Sequence, residues 1–161
     1  MKLNFKIVGL HFLAAVLVIA AFRQYSVLYD LELLKVLDGQ KMFENMAGSR
    51  GGTLGERLTS SLYLKFILTY VGLGLTFLTS LFITLRKKEH WANSVLVLLL
   101  VFSLILLNFY YAESVRAVLF FPARAFMSFS ISNVYLLNAS ILLSVGIGIY
   151  LLSFKWTSKT V

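Results

Sequence analysis

The chain has 161 residues, 59% of them hydrophobic and 14% charged, with a mean hydropathy of +0.84. A soluble domain carries about half and a quarter, and one small core could not bury this much apolar surface, so the chain reads as an all-α integral membrane protein of a single domain. It contains no cysteine, which excludes disulfides, a thiol nucleophile, Cys-ligated zinc and iron–sulfur clusters. Its net charge of +8 flanks apolar runs, which points to anionic lipid headgroups rather than nucleic acid.

Four segments are expected to cross the bilayer as helices, over about 7–29, 54–85, 91–121 and 123–154. Together they predict a four-transmembrane-helix bundle spanning 1–161, with a short amphipathic helical outer segment between the first two helices. Their continuous apolar runs lack the period-2 alternation of a membrane β-barrel. The single proline, Pro122, falls between the third and fourth.

The first span follows Lys2 and Lys6, as a signal peptide would, but Phe22 and Arg23 fit a cleavage site poorly, so it is expected to be retained. His11, one turn in, reads as a hydrogen-bonded packing residue. A metal or proton role would need another imidazole or carboxylate at its depth. In the outer segment, about 25–47, Val27, Leu28, Leu31, Leu34 and Leu37 recur at helical spacing between charged residues. Asp38-Gly39 is a plausible stop, and a second short helix is expected over 40–47. Gly48-Ser49-Arg50-Gly51-Gly52 reads as a hinge, and Thr53-Leu54-Gly55-Glu56 has the spacing of a capping box that starts the second helix.

On the second span, Lys65, Thr69, Gly72, Thr76 and Thr79 share one helix face. On the fourth, whose apolar run begins at Ile131, Ser140, Ser144 and Gly148 repeat every fourth residue. Such faces let helix backbones approach closely, and they read as packing surfaces rather than a solute path. Asn108 and Asn138, in the third and fourth spans, need partners in hydrocarbon and read as inward-facing bundle contacts. Lys65, Glu113, Arg116 and Arg124 are expected at the outer rim, with Lys65 paired to Glu113. Arg116 and Arg124 would then contact an anionic lipid or an acidic partner surface.

Lys2, Lys6, Arg86-Lys87-Lys88, Lys155 and Lys159 cluster on one side of a four-span arrangement, which places both termini in the cytoplasm. The expected location is a plasma or bacterial inner membrane. No paired carboxylates, metal-ligand spacing or nucleophile–base set stands out, so neither an enzyme nor a cofactor is expected. The spans are nearly charge-free and unbroken, unlike those of ion-coupled carriers. The remaining reading is a structural or accessory subunit of a larger membrane complex, contacting lipids and other membrane subunits or itself. The alternatives are an oligomeric carrier or channel for a small solute or lipid, or a subunit that binds a quinone or pigment between its helices.

Overall fold

The computed structural model describes residues 3–36 and 51–156, with side chains placed over 3–31 and 59–155. In chain order, it consists of α1 (Phe5–Val36), α2 (Gly51–Arg86), α3 (Ala92–Leu106), a 3-10 turn at Phe109–Tyr111, α4 (Glu113–Leu119), a 3-10 turn at Phe121–Phe126, and α5 (Ile131–Trp156). There is no strand among the described residues. The expected stop at Asp38-Gly39, the second short helix over 40–47 and the start of the hinge lie outside the described residues.

Three helical stretches are long and apolar enough to cross a membrane: Phe5–Leu31, Thr59–Arg86 and Ile131–Lys155. The first span and the start of the expected outer segment form one continuous helix, α1, because nothing between Phe22 and Val36 breaks it. α2 begins at Gly51, two residues before the expected cap.

α1 is the central helix, with α5, α2 and α3 packed around it. Its sequence explains this placement. Ala14, Ala15, Ala20 and Ala21 are buried, so neighbouring backbones can come close on several sides, while Ile7, Val16, Val18 and Ile19 fill the spaces between them. A helix apolar all round suits such a position. The outer helices instead leave large side chains uncovered, among them Leu78, Phe82, Leu99 and Leu151.

The largest departure from expectation is the third span. The expected helix over 91–121 ends at Leu106, so α3 has only 15 residues. That is about 22 Å at the helical rise, short of a hydrocarbon core of ~30 Å. Leu107 closes α3, and Asn108 follows in the left-handed conformation (φ 53°, ψ 29°). Asparagine tolerates this conformation better than other side chains with a Cβ, and it is a common helix terminator. Ala112 is extended before the chain turns into α4. The fourth helix also starts later than expected, at Ile131 rather than 123. Pro122 opens a 3-10 turn instead of an α-helix, and a short link rich in serine, whose side chains compete for backbone hydrogen bonds, precedes the first turn of α5.

Candidate functional site

Because α3 stops early, α1, α2 and α5 continue past its end, and α4 folds over the space that is left. A cavity of about 510 Å³ lies there, lined by α1, α2, α4, α5 and the Phe109–Tyr111 turn, with no residue from α3.

Arg23 is the main polar feature of the cavity. Its guanidinium stacks 4.6 Å from the ring centroid of Tyr111 and 5.3 Å from that of Tyr110, within cation–π range. Tyr110 is held in place by burial and by a hydrogen bond, its hydroxyl donating to the Val16 carbonyl at 3.4 Å. Ser26 donates to the Arg23 carbonyl at 2.6 Å. Gln24, the next residue, accepts at 2.6 Å from the side-chain amide of Asn138, which also donates to the Leu119 carbonyl at 3.0 Å. Asn138 thus ties α1, α4 and α5 together beside the cavity, and its Oδ1 is buried without a hydrogen-bond partner among the described residues.

Three of the four rim residues, Lys65, Glu113 and Arg116, line this same cavity. Arg124 does not; it is exposed on the 3-10 turn, 5.6 Å over the ring of Phe121. The partner expected for Lys65 also changes. Lys65 pairs with Asp30 at 2.5 Å, and Ser61 donates to the same carboxylate, whereas Glu113 takes no part in the pair. The reason is that α1 continues as a helix past the expected boundary and carries Asp30 alongside the start of α2. Lys65–Asp30 is the sole ion pair formed between residues whose side chains are placed. No carboxylate among the placed side chains therefore neutralises Arg23 or Arg116 at ion-pair distance.

On the α2 face, Thr69, Gly72 and Thr76 are buried, and a Cβ added at Gly72 would meet the Phe22 ring at 3.3 Å. The two threonine hydroxyls bond to their own helix, to the Lys65 and Leu73 carbonyls, so they contribute shape rather than cross-helix bonds. Thr79 is exposed.

On α5 the buried face is rotated from the expected one. Ser144 is exposed and a Cβ at Gly148 would meet nothing, whereas Gly146 lies against α1. There a Cβ would come within 2.7 Å of Val18 Cγ2 and 3.1 Å of the Ala14 carbonyl oxygen. Ser140 is half-buried and does reach α1, with its hydroxyl 3.2 Å from that of Tyr25. Asn108 makes no inward contact; it is exposed at the end of α3, where its backbone conformation is its contribution.

A second polar cluster lies at the opposite end, around His11. Its Nδ1 is 2.8 Å from Ser80 Oγ and its Nε2 is 2.9 Å from Ser153 Oγ. Ser80 donates to Ser94 at 3.0 Å, and Thr84 and Ser94 hydroxyls are 2.5 Å apart. The Tyr150 hydroxyl lies within 3.4 Å of the carbonyls of His11 and Thr76. This network joins α1, α2, α3 and α5 without a charged member inside it. Just beyond it, Lys87 donates to the Ser153 carbonyl, and burial holds its ammonium below the ordinary lysine value while Glu89 acts in the other direction. Among the described residues no group of three or more His, Asp or Glu side chains is placed to hold a metal ion.

No family model, curated protein or solved structure matches the chain. Any functional reading must therefore come from the cavity and the helix faces. Sequence reasoning passed over Arg23, Gln24, Tyr110 and Tyr111 as parts of a site. The available signal was an arginine interrupting an otherwise apolar run. For the His11 cluster, the signal was the fourfold spacing Thr76, Ser80, Thr84.

Proposed function

We propose that the chain is a four-span protein of a plasma or bacterial inner membrane, with both termini cytoplasmic, that serves as a structural or accessory subunit of a larger membrane complex. The cavity at Arg23 would be its binding centre, and the uncovered faces of the outer helices would meet lipids and partner helices. In this reading α3, with the turn and short helix after it, supplies the third crossing.

The observation carrying the reading is Arg23 itself. It lies eight residues inside the Leu31 end of a 27-residue span-length helix, which is about 7 Å inside a hydrocarbon core of ~30 Å centred on that helix. An arginine at such depth is costly, and it normally faces an interior and pairs with an anion. Here it faces a cavity lined by Arg23, Lys65, Arg116 and Glu113; with Lys65 paired to Asp30, two guanidiniums stand against the one carboxylate of Glu113. A lipid phosphate or a partner's carboxylate has the complementary chemistry. The aromatic wall of Tyr110, Tyr111, Phe120 and Tyr135 supports a second reading, in which a flat ring such as a quinone or pigment is held there.

Purification in a mild detergent followed by native mass spectrometry tests the proposal. The wild-type chain should carry a stoichiometric protein or an acidic lipid, and Arg23→Gln combined with Arg116→Gln should lose it with the helical content intact. Unchanged retention in that variant removes the cavity as the binding centre. An absorbing small molecule in the pure protein would favour the second reading.

A further inference from the structure

α2 and α5 run in the same direction on either side of α1 and scarcely touch each other. Between them lies a groove of about 610 Å³. Its floor is Val18 and Phe22 of α1, and its walls are matched ladders, Leu75, Thr79, Phe82 and Arg86 on α2 facing Leu143, Ile147, Leu151 and Phe154 on α5. The few hydroxyls along it are already committed. Thr79 bonds to the Leu75 carbonyl, Thr76 to that of Leu73, and Tyr150 reaches backbone carbonyls of α1 and α2. The interior of the groove is therefore effectively hydrocarbon.

Its mouth has the opposite character. Arg86 ends the span-length part of α2, and its guanidinium lies 5.8 Å over the Phe82 ring and 5.6 Å over that of Phe154, one ring from each wall. No described carboxylate forms an ion pair with it. The two helix C-termini and Glu89 there add negative charge, which the full charges of Arg86, Lys87, Lys88 and Lys155 outweigh.

We infer that this groove holds one acyl chain of an acidic phospholipid, with its phosphate against Arg86. The length of the groove suits an acyl chain. From Leu75 to Arg86 the groove runs about 16 Å at the helical rise, close to the ~15 Å of one leaflet's hydrocarbon. The polarity selects an acidic lipid: apolar along its whole length, cationic at the membrane edge, and with a guanidinium whose planar fork suits phosphate. The inference rests on the chain's lying in a membrane, not on the cavity at Arg23, which is at the other end of the bundle.

The test uses the full chain in nanodiscs of one part phosphatidylglycerol to three parts phosphatidylcholine with identical acyl chains. An Arg23→Gln background keeps a lipid at the cavity from being counted. Native mass spectrometry should find one phosphatidylglycerol retained in preference to phosphatidylcholine. Arg86→Gln should lower its retention about tenfold. Leu151→Trp, at an exposed position on the wall, should do the same by filling the groove while leaving every charge in place. Ile147→Phe is a second filler should Leu151→Trp lose helical content. Equal retention of the two lipids would overturn the inference in favour of bulk lipid. Retention that survives the groove fillers but not Arg86→Gln would overturn it too, since the phosphate would then sit on the basic turn with no chain in the groove.

Discussion

The sharpest test of the fold compares Gly146→Ala with Gly148→Ala, the same substitution made twice within one helix. Replacing glycine by alanine in a helix interior gains about 0.5–1 kcal/mol from backbone entropy, and this gain is common to both. At Gly148 nothing lies within 4 Å of the new methyl group, so the gain should appear alone and stabilise the protein. At Gly146 the methyl would lie 2.7 Å from Val18 Cγ2 and 3.1 Å from the Ala14 carbonyl oxygen. The valine can yield, but the backbone oxygen cannot move without shifting α1 from α5. Overpacking of this kind costs about 1–3 kcal/mol. Gly146→Ala should therefore unfold more easily than Gly148→Ala by about that amount, measured by far-ultraviolet circular dichroism during titration with denaturing detergent in mixed micelles. Adding Val18→Ala should recover part of the loss, with a coupling of ~0.5 kcal/mol or more, and should leave Gly148→Ala without such coupling. Equal stability of the two alanine variants would refute the close approach of α1 and α5.

Other outcomes follow from the polar contacts and the helix ends. His11→Leu removes hydrogen bonds to Ser80 and Ser153 and should destabilise by about 1–3 kcal/mol in the same titration, more than Ser103→Ala, whose exposed hydroxyl bonds only within α3. A double-mutant cycle of Asp30→Asn and Lys65→Met should show coupling of up to about 1 kcal/mol that weakens in high salt. The cycle of Lys65→Met with Glu113→Gln should be additive within about 0.5 kcal/mol, because Lys65 pairs with Asp30. For topology, the chain has no cysteine of its own. Ser128→Cys should label with an impermeant maleimide in intact cells and Lys88→Cys only after lysis; the reverse pattern would invert the proposed orientation.

The parts of the fold that were legible in the sequence are those where hydropathy and structure answer to the same force. The runs that became α1, α2 and α5 are long, apolar and free of proline, so their length alone marks them. On α2 the small-residue face was legible over Thr69, Gly72 and Thr76, but beyond them it was not, since Thr79 is exposed and Ser80 and Thr84 are buried instead. α5 offers two registers at the same spacing. Ser140, Ser144 and Gly148 form one, and Asn138, Leu142, Gly146 and Tyr150 form the other, buried one. Periodicity cannot choose between them; the choice is made by Gly146 meeting α1 and by Asn138 meeting Gln24 and Leu119. Composition favoured the wrong stripe because serine looks like a packing residue and Tyr150 does not. Yet Tyr150 is buried and bonds to carbonyls on two other helices.

The candidate site was half legible for a related reason. Lys65, Glu113 and Arg116 were visible as charges near span ends, and they line one cavity. The cavity itself was not visible, because it exists only where α3 ends early, and hydropathy does not register that end. Phe109-Tyr110-Tyr111 and Val118-Leu119-Phe120-Phe121 continue the apolar composition beyond Asn108, so a window average runs straight through the break. What stops the helix is one backbone conformation at one asparagine. That conformation turns Tyr110 back onto Val16 and brings both tyrosine rings beneath Arg23. The position of Asn108 is thus a cause of the site as well as the end of a helix. Replacing it with valine, whose branched Cβ resists positive φ, should disturb the cavity before it disturbs the His11 network at the far end. Hydrogen exchange at the Tyr110 and Tyr111 amides, the second of which bonds to the Asn108 carbonyl, would report the first change, and loss of cooperative unfolding the second. Simultaneous loss of both would show that the break at Asn108 supports the whole bundle rather than the cavity alone.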